Sequence, residues 1–396
     1  MLLRPRGIAE YLWVSAGALL LVITRLLTLR RAGHAIYEGL DVYLFLAGMM
    51  ILAELARHEG VFDWVADIAV RHAHGSAARL FFWIYLCGTV VTALLSNDAT
   101  AVVLTPAVLA AVRRARVDPK PHLLACALIA NAASFVLPIS NPANLVIFGQ
   151  HLPPLGAWLR VLLLPSIVSI VVTFVCLRVM SGKSLAGVSA PDITPVVLTA
   201  KGRMTLGGIL IAAATLLVSS GFGIPLGIPT CVAAIFAVIL VTLKDRGVPG
   251  TVVRNVSWSV LPLVAGLFMI VEALNSAGML GLTQQALRWL AAAPDGYGKF
   301  IAAFAVALVS NGMNNLPVGL AAGTALQQMH GSGLLTHAVL IGVDLGPNLS
   351  VTGSLATILW LIALRRDNAE ITAWEFLKTG AIIMPVSLAL TLLTLS

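Results

Sequence analysis

Long apolar runs limit what this chain can fold into. Met204–Ser220 and Ile228–Leu243 contain no charged residue, and Tyr11–Leu29 and Val161–Val179 contain one each. Roughly 20 apolar residues cross the hydrocarbon core of a bilayer as a helix, and these runs come close to that length. Of the 396 residues, 59% are hydrophobic and 11% are charged, whereas a soluble domain carries about 25% charged residues. So little charge cannot cover a water-facing surface of this size. The expected class is therefore an all-α polytopic membrane protein, embedded in a lipid bilayer. The first run has no small-residue cleavage site, so it reads as a span instead of a removable leader. The net charge of +8 needs no nucleic-acid partner, because Lys and Arg gather in cytoplasmic loops. Cys87, Cys126, Cys176 and Cys231 lie in apolar runs without CxxC spacing. They read as small buried side chains, and neither a metal nor a cofactor is expected.

The chain also repeats itself. Phe45–Gly60 aligns without a gap on Leu263–Gly278, so that Ala47 and Ala265, Gly48 and Gly266, Glu54 and Glu272, and Gly60 and Gly278 coincide. Further on, Ser96-Asn97 matches Ser310-Asn311 at a slightly smaller offset, and Ile139–Phe148 parallels Val351–Trp360 in hydropathy. Each half then reads as a spanning helix, an interfacial segment, a re-entrant hairpin broken at Ser-Asn, a broken helix and a closing span. Paired halves with interrupted apolar segments at matching positions mark the binding site of a transporter. Residues 1–36 form the expected N-terminal transmembrane helix and 37–180 the first repeat. Residues 181–257 are a linker plus a transmembrane hairpin, and 258–396 are the second repeat. With a cytoplasmic N-terminus and the hairpins re-entrant, 19 of the 25 Lys and Arg fall on the cytoplasmic side. Opposite insertion of the two halves follows from that bias.

Four polar clusters interrupt the apolar sequence: Ser96–Thr100, Pro138–Asn144, Ser310–Pro317 and Asp344–Ser354. Unwound backbone at membrane depth is tolerated only where protein or a watery cavity surrounds it. Broken helices there offer free N–H groups at helix starts and free carbonyls at helix ends, and these can hold a small polar solute. The candidate contacts are Ser96, Asn97, Thr100, Ser140, Asn141, Asn144, Ser310, Asn311, Asn314, Asn315, Asn348, Thr352 and Ser354. Asn97, Asn141, Asn311 and Thr352 are expected in one cavity. Few carboxylates lie in the apolar zones: Glu54, Asp98, Glu272 and Asp344. A buried carboxylate either exchanges a proton or gains a partner. Asp98, at a hairpin tip, is the expected proton carrier. Asp344, opening an unwound segment where backbone N–H groups are free, is the expected secondary or structural anion. Glu54 and Glu272 read as packing or hinge residues.

The same residues carry a family resemblance. Gly60–Trp64, Asn97-Asp98 leading to Leu104–Pro106, Asn314–Pro317, and Asp344–Pro347 continuing to Gly353–Thr357 and Leu359-Trp360 resemble the ArsB-type arsenite permeases of the ion-transporter superfamily. The chain departs from that pattern at Asn348, where Lys is frequent, at Val351, where Pro is frequent, and at the added Pro142. The resemblance implies efflux of arsenite and antimonite across the cytoplasmic (inner) membrane, driven by proton entry, and allows a soluble ArsA-type ATPase as partner. The chain itself has no GxxxxGK[ST] nucleotide loop. Two other readings stay open. One is a sodium/proton antiporter or anion carrier of the same superfamily. The other is an intramembrane aspartyl protease using Asp98 and Asp344, although the Gly-x-Gly-Asp context such a pair would have is absent.

Overall fold

The structure is a computed structural model, and it describes residues 10–187, 195–245, 247–293, 296–329, 333–367, 369 and 371–395. Arg4, Arg6 and Arg246 of the charge pattern, part of the central linker, and His330–Ser332 lie outside them. The described residues are helical throughout, without strands.

The first repeat runs α3 (Leu40–His58), α4 (Val61–Ala73), α5 (Ala77–Leu94), α6 (Thr105–Arg114), α7 (Pro119–Ala132), α8 (Pro142–Phe148) and α9 (Leu155–Met180). The second runs α13 (Val260–Ser276), α14 (Leu280–Ala291), α15 (Tyr297–Met313), α16 (Asn315–Gln328), α17 (Gly333–Leu345), α18 (Leu355–Arg366) and α19 (Ala373–Leu393). Seven helices thus recur in one order, as two inverted repeats. In each, the third and fourth helices form a re-entrant hairpin and the fifth and sixth are one broken helix. The repeats interlock: α8 packs on α16, α18 packs on residues 99–104 ahead of α6, and α9 packs along α19. In that last contact the Thr173 and Ser387 hydroxyls meet at 3.2 Å.

Small residues let backbones approach where no water competes. Gly342 and Gly346, one helical turn apart, face Ala303 and Ala307 of α15. A Cβ on Gly342 would stand 2.3 Å from the Ala303 carbonyl oxygen, so this crossing needs glycine. Around α9, aromatic rings replace small residues: Phe81 stacks on Phe174 at 5.5 Å, and the Tyr85 hydroxyl donates to the Ile170 carbonyl at 2.7 Å.

Three expectations about element boundaries change. The N-terminal run is two helices, α1 (Glu10–Ile23) and α2 (Leu29–Glu38). Arg25 in the left-handed region (φ 59°) breaks the run, and the Thr28 hydroxyl caps the new start by accepting from Arg31 N. α2 then meets α3 at a 48° bend, so it crosses the expected boundary at residue 36. Second, the apolar hairpin α10 (Ala200–Gly221) and α11 (Gly227–Thr242) is joined by a short helix α12 (Val248–Asn255) to the second repeat, and α11 packs along α3.

The third change matters most for function. The second hairpin turns at Asn314, which takes φ 75°, and Ser310-Asn311 remain inside α15. The register of Glu54 and Glu272, continued from Ser96-Asn97, arrives at Asn314-Asn315. The identical Ser-Asn pair lies four residues short of the structural equivalent.

Candidate functional site

Four helix beginnings meet at one place. On the first hairpin, the Ser96 hydroxyl accepts from Ala99 N at 3.1 Å and Asn97 Oδ1 accepts from Asp98 N at 3.0 Å. A π-helical turn over Ala99–Leu104 follows, with Thr105 Oγ1 donating to the Thr100 carbonyl five residues back. Single π-turns of this kind recur at functional sites. On the second hairpin, Asn314 Oδ1 caps α16 by accepting from Leu316 N. Asn141 caps α8 by accepting from Ala143 N at 3.0 Å. Ser354 caps α18 by accepting from Thr357 N at 3.1 Å.

These tips enclose a cavity of about 40 Å³ lined by Asn97, Asp98, Asn141, Asn314, Asn315 and Ser354, with Leu46, Val260, Leu263, Leu267 and Leu355 as apolar wall. That is room for on the order of three water-sized groups. Asp98 is the sole ionisable residue among the lining. Its carboxyl, partly exposed, makes no ion pair or hydrogen bond among the described residues.

Two wider vestibules flank the cavity. The first, about 480 Å³, runs from Ser96 and Asp98 past Met50, Ala53, Glu54 and Arg57 to Arg366 and Asp367. It shares Leu46, Asp98, Pro142, Val260 and Leu355 with the cavity, so the two are continuous. The second, about 440 Å³, is lined by Phe268, Val271, Glu272 and Asn275, with His34, Glu38, Asp41, Gln327 and Gln328. It shares no lining residue with the cavity. Phe268, Val271, Glu272 and Asn275 are the repeat equivalents of Met50, Ala53, Glu54 and Arg57, so the vestibules are counterparts on the two repeats.

The expected site residues divide between these spaces and the packing. Asn97, Asn141, Asn314, Asn315 and Ser354 face the cavity, and Ser96 faces the first vestibule. The others bond backbone and side chains in and around the breaks. Thr100 bonds the Thr92 hydroxyl at 2.8 Å. Ser140 donates to the Ala93 carbonyl, and Asn144 donates to the carbonyls of Ser134, Leu137 and Pro138. Ser310 donates to the Val306 carbonyl. Asn311 Nδ2 donates to the Ala307 and Gly346 carbonyls at 2.7 and 2.9 Å; its Oδ1 accepts from Ser350 and its carbonyl from Thr352. Asn348 Oδ1 accepts from Asn131. Of the four residues expected in one cavity, Asn97 and Asn141 share it, while Asn311 and Thr352 tie the second hairpin to the second broken helix. Asp344 is fully buried in the last turn of α17. Its Oδ1 accepts from Asn141 Nδ2 at 2.7 Å, a side-chain amide in place of the expected backbone N–H groups.

Sequence reasoning passed over Asn131 and Ser134, both fully buried at the start of the first helix break. The available signal was two polar residues three apart at the end of an apolar helix.

The chain matches the CitMHS family, described as citrate transporter, over residues 7–365. It is a member of that family. It is 31% identical over 372 residues to the arsenical pump membrane protein of Escherichia coli K12, spanning 88% of this chain and 84% of the relative. The arsenical pump membrane protein of Yersinia enterocolitica is 30% identical over 360 residues, with the same coverage. An uncharacterized transporter of Mycobacterium tuberculosis is 26% identical over 368 residues. Among solved structures, the Alcanivorax borkumensis YdaH transporter, described as having an unusual topology, aligns with a TM-score of 0.60 at 14% identity, covering 92% of this chain and 86% of that one. That likeness concerns the fold alone. As a CitMHS member with ArsB-type relatives, the chain is a membrane transporter and not an enzyme, which retires the protease reading of Asp98 and Asp344.

Proposed function

We propose that this chain exports trivalent arsenic, as arsenite and antimonite, across the cytoplasmic membrane in exchange for entering protons. The observation that carries the reading is the cavity's lining of amides and one hydroxyl, with a single carboxyl and no Lys, Arg or His. Arsenous acid near neutral pH is mainly an uncharged trihydroxide. Each of its hydroxyls both donates and accepts, and Asn amides complement both roles. Three hydroxyl groups also suit a space for about three water-sized groups. A citrate trianion would ask for cationic partners, and none lines the cavity. Capture by thiolates is not favoured either: no cysteine lines the cavity, and Cys126 is buried elsewhere. The relatives named as arsenical pumps point the same way.

In this reading the first vestibule is cytoplasmic and admits the solute, the second opens to the outside, and Asp98 carries the proton at the tip of the first hairpin. A soluble ArsA-type ATPase would add a second energy source without changing the site. Everted vesicles with an acidic lumen should accumulate arsenite, antimonite should compete, and a protonophore should collapse the accumulation. Uptake of citrate in place of arsenite would overturn the reading.

A further inference from the structure

The first hairpin leaves its tip as a helix of uneven pitch, and the second does not. Thr100 N donates to the Ser96 carbonyl at 3.3 Å, the spacing of an α-helix. Over Ala99–Leu104 the turn widens to the π form, and α6 begins at Thr105. Pro106 is one cause: it has no N–H to donate, and its ring would meet the Val102 carbonyl in a regular helix. Hydroxyls hold the widened turn. Thr105 Oγ1 donates to the Thr100 carbonyl at 3.1 Å, and the Thr100 and Thr92 hydroxyls meet at 2.8 Å. All three threonines are fully buried. The second repeat supplies the contrast. In the register of Glu54 and Glu272, Asp98, Thr100, Thr105 and Pro106 correspond to Leu316, Val318, Gly323 and Thr324. There α16 runs from Asn315 to Gln328 as one α-helix. The tip that carries a carboxyl has the threonine pair, the proline and the wide turn; the tip that carries leucine has an even helix.

We propose that Thr105, acting with Thr100, is a positioning residue for Asp98: the hydroxyl lock on the wide turn fixes the face of the hairpin on which the carboxyl stands. A π-turn carries one residue more than an α-turn, and one residue rotates a helix by about 100°. Beyond the turn, α6 is anchored by the buried Val108, Leu109, Ala111 and Val112. The extra residue therefore rotates Asp98 by that angle relative to α6, to where it lines both the cavity and the first vestibule. The inference rests on the reading of Asp98 as the proton carrier. In the vestibule Asp98 faces Glu54 and Arg57 of α3, and Arg366 and Asp367 at the end of α18. Asp63 of α4 and Arg113 of α6 line the space beside Val102 and Val103 of the turn, and Asp344 stands behind Asn141. Which of these charges the carboxyl meets depends on the rotation that the turn sets, so releasing the lock should alter proton exchange.

The test compares Thr105→Val, which keeps the shape and removes the hydroxyl, with Thr105→Ser, which keeps the hydroxyl. In everted vesicles of the full chain, Thr105→Val should move the pH of half-maximal arsenite accumulation by about half to one pH unit, the equivalent of one hydrogen bond. Thr105→Ser should keep the native profile. A role confined to stability would lower the amount of folded protein and leave the profile unmoved. The same variants in lipid nanodiscs are read by amide hydrogen exchange, which needs no transport. Thr105→Val should quicken exchange over residues 97–105 by about 2–10-fold and leave α9 and α19 unchanged. A native pH profile in Thr105→Val, unchanged exchange at the turn, or a Thr105→Ser chain that behaves like Thr105→Val overturns the inference. Should the native chain accumulate no arsenite, the export reading falls, while the exchange result still upholds or overturns the lock.

Discussion

The two hairpin tips occupy equivalent places in the two repeats, yet only the first carries a carboxyl. Continuing the register of Glu54 and Glu272 sets Asp98 opposite Leu316, and both line the cavity. The vestibules differ in the same sense. Glu54 is held by Arg57 through two bonds, 2.8 and 2.5 Å long. Glu272 is held by the neutral Asn275 and Ser276 at 3.2 Å. Duplication accounts for the shared scaffold, which gives each repeat a vestibule of its own, the first continuous with the cavity. In the export reading proposed above, this departure from symmetry is what gives the proton-driven cycle its direction: a titratable group on one tip only.

The largest expected effect tests that departure directly. Asp98→Asn keeps the shape and removes the proton, so arsenite accumulation in energised everted vesicles should fall to that of vesicles lacking the protein. Size-exclusion behaviour should stay native. Undiminished, pH-dependent accumulation would remove Asp98 from the cycle and direct attention to Asp344. Moving the carboxyl, in Asp98→Leu with Leu316→Asp, sharpens the comparison. If direction depends on which tip carries the group, this double variant regains no export. Recovery would make the tips interchangeable.

The vestibule glutamates should differ by less, and in stability. The two bonds from Arg57 to Glu54 are charge-assisted and bidentate, a strong class, though the Arg57 side chain is 50% exposed and water compensates part of the loss. Glu54→Gln should cost about 1–2 kcal/mol, and Glu272→Gln about 0.5–1 kcal/mol, since its partners are neutral. Chemical denaturation in detergent would measure both. Equal losses would mean that Arg57 adds nothing over Asn275.

Much of this architecture was legible because bilayer physics leaves few options. The apolar runs gave the class, and the Phe45–Gly60 match to Leu263–Gly278 gave the order of elements in both halves. The site was legible as four clusters but not as individual contacts. Unwound backbone in a membrane must find its partners inside the protein, so Ser140, Asn144 and Asn311 spend their side chains on carbonyls in or beside the breaks, and Ser310 bonds back into its own helix. Nothing in residue type separates them from Asn97 or Asn141, which face the cavity. The second tip was misplaced for a related reason. The Ser-Asn identity at Ser310-Asn311 drew the break four residues early, whereas the turn sits where packing places a residue at positive φ.

That turn gives the smallest and most local prediction. Asn314 holds φ 75° and ψ 148°, a region that is essentially glycine's own and costs other residues on the order of 1–3 kcal/mol. The first hairpin has no positive-φ residue at its tip, so the strain belongs to one repeat alone. Replacing Asn314 by glycine relieves it and gives up the Oδ1 cap on Leu316 N, worth a few tenths of a kcal/mol when glycine takes the cap position. The balance should leave Asn314→Gly more stable by about 1 kcal/mol. The variant also removes an amide from the cavity wall, so arsenite should bind more weakly while the fold gains. Denaturation and vesicle competition on one preparation would read both effects. A less stable glycine variant would mean that the Asn314 cap, and not its strain, dominates the second tip.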